Sequence, residues 1–344
     1  MIIVKFVSKG MKPGLNEMLY LRQIPGPIGQ WGDCRFVADP NLEKYDWLIV
    51  YDDLPPAGGE RHSLRVEKLA CPPENTIFVM AEPSSIKTYG YDFLNQFGTI
   101  ISCHGEKASP EHKTIHTIPG LIWFYGMADH VAYDVMAANP PLQKSNLMSI
   151  VYSAKVMKHT LHGKRNEFTR QLSEALPEMD VFGKNHIPLH DKRACLDSYR
   201  YHFAMENTLQ PNYISEKLTD AFLGLSLPFY VGAPNAEAFF PAGSFIRLDP
   251  DQPEEAVCII RDAIKNNEYE KRLPALMEAR RRVMEEYNLF AMARKIIEGK
   301  PQTISSGSAA LLFSHRAILK SNGWVLLKFL YQKMKSRFMH SFVL

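Results

Sequence analysis

No stretch of this chain approaches the roughly 20 consecutive apolar residues that cross a bilayer. Its mean hydropathy of −0.21 likewise speaks against a polytopic membrane protein. No secretory leader is legible: MIIVKFVSKG places Lys5 inside a short apolar run and reads as the first strand of a sheet. A cytoplasmic protein is therefore the expectation. The cysteines Cys34, Cys71, Cys103, Cys195 and Cys258 include no C-x-x-C pair, and so scattered a set fits reduced, mostly buried thiols. Cys103 adjoins His104, but no second pair follows at zinc spacing, so no metal site is expected there. Acidic residues are missing altogether after Glu298, whereas Lys300, Arg316, Lys320, Lys328, Lys333, Lys335 and Arg337 are all basic. The net charge of +3 hides this segregation, because 33 basic residues face 37 acidic ones in the remainder. An anionic partner for the tail is implied.

What is present is ordinary globular composition, 46% hydrophobic and 22% charged over 344 residues, enough for two domains. Residues 1–7, 46–52, 75–82 and 98–104 are apolar runs bounded by turn residues, as strands of a parallel sheet covered on both faces would be. Residues 63–69 and 91–97 read as short crossover helices. Pro140 and Pro141 break any helix and mark residues 136–146 as a linker. A second α/β unit opens with a strand at 146–154, a helix at 163–175 and a strand at 179–183. Later, Ala256, Ile259, Ile260, Ala263 and Ile264 share one face of a helix at 253–265, and one or two further helices cover 268–298. The expected division is an α/β domain over 1–140, a second over 146–300, and a tail over 301–344.

Residues 203–234, FAMENTLQPNYISEKLTDAFLGLSLPFYVGAP, read as strand, polar turn, amphipathic helix and strand. Leu218, Ala221, Phe222 and Leu225 recur at the spacing of one helix face. That face is buried while the helix N-terminus stays beside Glu206, Asn207, Tyr213, Glu216 and Lys217. Free N–H groups and a partial positive charge at such an end suit a phosphate, and Lys217 adds a full charge.

The same stretch resembles the donor-binding core of glycosyltransferase family 10, the α1,3/α1,4-fucosyltransferases. The matching residues are Phe203, Glu206, Asn207, Tyr213, Ile214, Ser215, Glu216, Lys217, Leu218, Pro228, Gly232 and Pro234, with one residue fewer between Phe203 and Glu206 than in the family pattern. The likeness covers roughly residues 146–265 and only scattered points before them. It implies a GT-B fold of two Rossmann-like α/β domains with an inter-domain cleft, an inverting reaction and GDP-fucose as donor.

Sugar transfer from a nucleotide needs a base for the acceptor hydroxyl and positive charge for the departing diphosphate. Arg165, in KRNEF, matches a family arginine that contacts the diphosphate, and an arginine fork suits phosphate oxygens. Lys217 is the second cation. The resemblance assigns Glu216 to ribose or fucose hydroxyls and Tyr213 to the same pocket; Glu206 and Asn207 stand at a strand end, where Glu206 either meets ligand or holds the turn through backbone bonds. Glu82, closing the run NTIFVMAE, is similar to the family's proposed base although its neighbours differ; Glu106 and His104 are further candidates. Trp123, Phe124 and Tyr125 could stack on an acceptor sugar. Asp249-x-Asp251 reads as a turn around Pro250, and no required metal or other cofactor is expected.

In the tail, Leu327, Leu330, Met334 and Phe338 fall on one side of a helix, and Lys328, Gln332 and Lys335 on the other. A basic amphipathic helix with tryptophan and phenylalanine suits an anionic membrane surface, with residues 303–309 as its linker. A basic tail also contacts nucleic-acid phosphates, but no binding motif accompanies it, and no nucleic-acid partner is expected. The functional expectation is fucose transfer from GDP-fucose to a GlcNAc-containing glycan, in bacterial surface saccharide synthesis, by a cytoplasmic protein peripheral to the inner face of the membrane. The alternatives are a GT-B transferase for another GDP-sugar and a non-catalytic membrane-surface glycan-binding protein.

Overall fold

The computed structural model describes residues 1–11, 17–27, 29–105, 108–152, 162–300 and 310–341. Two compact units divide the chain. One comprises residues 1–119 and 289–344, the other residues 120–288.

The first unit runs β1 (Ile2–Ser8), α1 (Glu17–Leu21), β2 (Gln30–Trp31), β3 (Cys34–Val37), β4 (Trp47–Tyr51), β5 (Val66–Lys68), β6 (Thr76–Val79), α2 (Tyr91–Leu94), β7 (Thr99–Ser102) and β8 (Thr114–His116). Its main sheet has the order β2-β3-β1-β4-β6-β7-β8, parallel except for β2. Strands β6 and β7 are buried at every position, which explains why they read as unbroken apolar runs rather than alternating ones. On one face of this sheet Phe78 packs against Tyr89, Phe93 and Phe97, with ring centroids 5.1, 5.2 and 4.7 Å away.

The second unit follows with α3 (Tyr133–Ala138), β9 (Asn146–Tyr152), α4 (His162–Ala175), β10 (Met179–Gly183), β11 (Tyr199–Met205), α5 (Glu216–Leu223), β12 (Leu227–Val231), β13 (Ile246–Arg247), α6 (Pro253–Lys265) and α7 (Glu268–Glu285). Its sheet is wholly parallel, in the order β10-β9-β11-β12-β13. Phe203 of β11 stands between Ile150 and Phe229 in register. Each unit is thus a Rossmann-like parallel α/β layer.

The chain then returns to the first unit through α8 (Leu289–Glu298), β14 (Leu311–Phe313), α9 (His315–Ser321) and α10 (Gly323–Ser341). The division therefore differs from the expected one at 140, 146 and 301. Pro140 and Pro141 lie inside the second unit, and α8 belongs to the first because Phe290 packs edge-on against Phe6 and Phe36, at 5.3 and 5.1 Å. Residues 63–69 hold a strand where a helix was expected, since β5 pairs antiparallel with β14, Glu67 opposite Leu312.

The tail is a second correction. Helix α10 packs back on the first unit: Tyr91 N donates to Gln332 Oε1 at 3.1 Å, and Ser336 Oγ donates to the Ser84 carbonyl at 3.4 Å. Gln332 therefore faces protein, not solvent. Gly90, at φ +84°, makes room here, because a Cβ at that position would sit 3.0 Å from the Phe329 ring. The outward face keeps Trp324, Leu327, Tyr331, Met334 and Phe338 more than half exposed. The linker expected at 303–309 lies outside the described residues. Among those described, no helix is long and apolar enough to cross a membrane.

Candidate functional site

In the second unit the chain steps from β9 outward to β10, then crosses to β11 on the other side. The connections diverge between β9 and β11, and at such a switch point a crevice opens beyond the carboxyl ends of the strands. Tyr152 ends β9 there, and Glu206 and Asn207 follow β11. Arg165, from the first turns of α4, donates through Nη1 to Asn207 Oδ1 at 2.8 Å, so two sequence candidates 42 positions apart meet at this point.

The third wall is the start of α5. Ser215 caps it, its hydroxyl accepting the Lys217 N–H at 3.3 Å. Behind the cap lies Glu206, with no exposed surface at all. Its carboxylate accepts the Ser215 N–H at 2.7 Å and the Ser215 hydroxyl at 2.5 Å. Glu206 thus holds the capping turn, one of the two roles the sequence left open. Tyr213 is buried within the same turn. Asn212, at φ +63°, exchanges side-chain and backbone hydrogen bonds of 2.8 and 2.9 Å with Asn235, which ties the turn to the end of β12.

Lys217 and Glu216 project from the first turn of α5. The Lys217 ammonium lies 3.0 Å from Glu216 Oε1, 3.2 Å from Ser215 Oγ and 3.8 Å from Glu206 Oε2. Burial alone would raise the Glu216 carboxyl, but Lys217 and Lys192 together bring it down to about 2. Burial raises Glu206, with Lys217 opposing. Burial also lowers Arg165, which still stays protonated because a guanidinium starts so high. Glu206 and Glu216 both act electrostatically on that guanidinium, which places all four groups in one cluster.

Two glycines allow close approaches in this unit, one at each end of its strands. Gly224 ends α5 where a Cβ would meet Leu196 Cβ at 2.5 Å. Gly232 lets Tyr230 fold back, its hydroxyl accepting the Ala233 N–H at 2.9 Å; a Cβ on Gly232 would lie 2.1 Å from that hydroxyl.

Residues 142–271 match the model of the glycosyltransferase family 10 (fucosyltransferase) C-terminal domain. The matched segment is little more than a third of the chain. It contains Arg165, Glu206, Asn207, Tyr213, Glu216 and Lys217, whereas Glu82 lies outside it. Similar proteins include the 3-galactosyl-N-acetylglucosaminide 4-alpha-L-fucosyltransferase FUT3 of Pan troglodytes, 32% identical over 136 residues, which are 38% of this chain and 36% of that protein. The human 4-galactosyl-N-acetylglucosaminide 3-alpha-L-fucosyltransferase FUT6 is 31% identical over 136 residues, 38% of this chain and 37% of that protein. This chain therefore matches little more than a third of the length of these curated relatives. A crystal structure of an alpha1,3-fucosyltransferase aligns at 17% identity with a TM-score of 0.47, over 83% of this chain and 92% of that one.

The other candidates lie mostly outside the matched segment. Glu82 stands just past β6, half-buried; its N–H donates to the Tyr89 hydroxyl at 3.4 Å and its carbonyl lies 2.8 Å from His104 Nε2. His104 is buried and spends that ring nitrogen on fixing the Glu82 backbone. Glu106 lies outside the described residues. Of the aromatic trio, Trp123 and Tyr125 are buried and Tyr125 donates to Asp197 at 2.6 Å, while Phe124 is 46% exposed. Within the matched segment, Asp249 Oδ1 accepts the Asp251 N–H at 2.9 Å, the geometry of a turn, and Asp251 pairs with Lys164 at 2.5 Å. Among the described residues no group of three His, Cys, Asp or Glu is placed to share a metal ion.

Sequence reasoning missed Lys192 and Asp220, which adjoin Glu216. Lys192 Nζ lies 3.0 Å from Asp220 Oδ2 and 3.5 Å from the Glu216 carbonyl, and stands over the Phe124 ring at 5.6 Å. A lysine beside an arginine in KRAC carries no local signal that separates it from a solvated surface pair.

Proposed function

We propose that this protein is an inverting glycosyltransferase that moves L-fucose from GDP-fucose to a hydroxyl of a GlcNAc-containing glycan, in α1,3 or α1,4 linkage. The observation that carries the reading is the Arg165–Asn207 hydrogen bond at the β9–β11 switch point, beside the capped end of α5 with Lys217. There a diphosphate meets a guanidinium fork, an ammonium and the positive end of the α5 dipole at once. As the bond from the fucose anomeric carbon to the diphosphate oxygen breaks, one further negative charge develops on GDP, and Arg165 and Lys217 stabilise it. Lys217 has a carboxylate partner to exchange for phosphate. Glu216 accepts hydroxyl groups of ribose or sugar. The base is Glu82, which takes the acceptor proton while the acceptor oxygen attacks opposite the leaving group and inverts the carbon. The two α/β units serve in the GT-B manner, and the chemistry needs no metal because two protein cations take its place.

The names of FUT3 and FUT6, which specify galactosyl-N-acetylglucosaminides, support the GlcNAc-containing acceptor. The outward stripe of α10, with Lys328 and Lys335 along one border and Arg337 along the other, supports docking on an anionic membrane surface, where a bacterial surface saccharide is assembled on the cytoplasmic leaflet. Calorimetric titration with GDP-fucose, GDP-mannose and UDP-galactose tests the donor, with Arg165→Ala as control. Selective GDP-fucose binding that the control weakens about 10- to 100-fold is expected. Preference for another nucleotide sugar overturns the fucosyl assignment, and no binding to any of them favours a non-catalytic glycan-binding role.

A further inference from the structure

The donor cluster holds three carboxylates, on Glu206, Glu216 and Asp220, and three cations, on Arg165, Lys192 and Lys217. Arg165 and Lys217 are the two that a diphosphate recruits. When Lys217 turns from Glu216 toward phosphate, Glu216 and Asp220 keep one cation between them, Lys192. That ammonium is well placed to serve. Its side chain is 16% exposed and its Asp220 partner only 1%. It reaches the carboxylate of Asp220 and the backbone carbonyl of Glu216, and so spans the first turn of α5. Asp220 in turn accepts the Phe124 N–H, at 3.2 and 3.3 Å from its two oxygens, and the Lys192 ammonium covers the Phe124 ring.

We propose that Lys192 is a positioning residue of the donor site: it holds the first turn of α5 and the Phe124 loop together, and it remains as the counter-charge of Glu216 once Lys217 has turned to the donor's diphosphate. The inference rests on the GDP-sugar reading above. It concerns a lysine outside the motif that carries the family likeness. The charged groups that face Glu216 are Lys217 and Asp220 on its own helix, Lys192 from the turn before β11, Glu206 at the end of β11 and Arg165 from α4. Without Lys192, the loaded site leaves Glu216 beside Asp220 and Glu206 with no cation committed to it. Its carboxylate then takes up a proton as the pH falls, and it ceases to accept hydrogen bonds from the donor.

The test is the affinity of GDP-fucose, whose diphosphate diester does not titrate near neutrality, measured from about pH 6 to 8 on the full chain. The unsubstituted protein is expected to bind with little pH dependence. Lys192→Met is expected to bind about tenfold more weakly at about pH 7, and more weakly still toward pH 6. The double variant Lys192→Met/Asp220→Asn removes both buried charges at similar volume, so it keeps the fold even where the single variant does not. It is expected to remain weak and pH-dependent, because Glu216 still lacks its counter-charge. Affinity restored to the unsubstituted level in the double variant would show that Lys192 merely neutralises Asp220, and would overturn the proposal. So would a Lys192→Met variant with undiminished, flat affinity. Absence of GDP-fucose binding by the unsubstituted protein rejects the donor reading itself, and the proposal with it.

Discussion

Glu206→Gln separates the two roles that a carboxylate at this position can play. In the structure both carboxylate oxygens are taken by Ser215, one by its N–H and one by its hydroxyl. Glutamine keeps the first bond but turns an NH2 group toward the hydroxyl. That hydroxyl already accepts from the Lys217 N–H and ammonium, and its own proton would lose its acceptor. One mismatched buried polar group and the loss of a charge-assisted bond together cost about 3 kcal/mol. For a unit of this size that lowers the melting temperature by roughly 6–12 °C. Donor affinity should move far less, by no more than about threefold, because Glu206 has no exposed surface with which to touch a ligand and its removal frees Lys217 from one carboxylate. Scanning calorimetry and GDP-fucose titration on the same preparation decide the matter. An unchanged melting temperature with lost donor binding would refute the reasoning and make Glu206 a ligand contact.

Three further outcomes are expected. Glu82→Gln lowers turnover by about 10²–10⁴-fold while GDP-fucose affinity stays unchanged; unchanged turnover removes Glu82 as the base. Glu216 has a folded-state value of about 2 against an ordinary 4.5, so its stabilisation is present above about pH 4.5 and is lost as the pH falls toward 2. The difference amounts to about 3 kcal/mol, and Glu216→Gln should flatten that part of the stability–pH curve measured by urea unfolding. Leu327→Glu/Met334→Glu on the outward face of α10 should abolish cosedimentation with phosphatidylserine-containing vesicles, which in the unsubstituted protein weakens with added salt; equal cosedimentation of both proteins rejects the membrane surface.

The second unit was legible because its signals are local. Leu218, Ala221 and Phe222 share one face of α5 and are fully buried, whereas Leu225, expected on the same face, lies past the helix end at φ +47° and is buried there. The helix at 253–265 and the strand at 179–183 have the expected bounds for the same reason. What escaped was long-range. The β5–β14 pair joins residues some 245 positions apart through two three-residue strands, too short for any period to show. Phe290 looks like any core phenylalanine until Phe6 and Phe36 are placed beside it. In α10 the periodicity was seen but not its orientation, because Gln332 and Ser336 reach backbone groups of the first unit that no sequence spacing reveals.

The same distinction runs through the site. Arg165, Asn207 and Lys217 are recognisable because they fall on the pattern that resembles family 10, and Lys217 also because it stands in the first turn of a helix. Glu206 and Lys192 act on other protein groups, and for them type alone decides nothing: a glutamate on a strand end and a lysine next to an arginine are ordinary surface residues elsewhere. Burial changes their meaning. A carboxylate with no exposed surface must have its partners within the protein, and Ser215 supplies them. A lysine whose side chain is enclosed beside Asp220 is costly to leave unpaired, so its charge has to be used where it stands. Groups of this kind set the position of those that would touch the proposed donor. Substitutions there should show themselves in stability and pH dependence, whereas substitutions at Arg165 should show themselves in donor affinity and turnover.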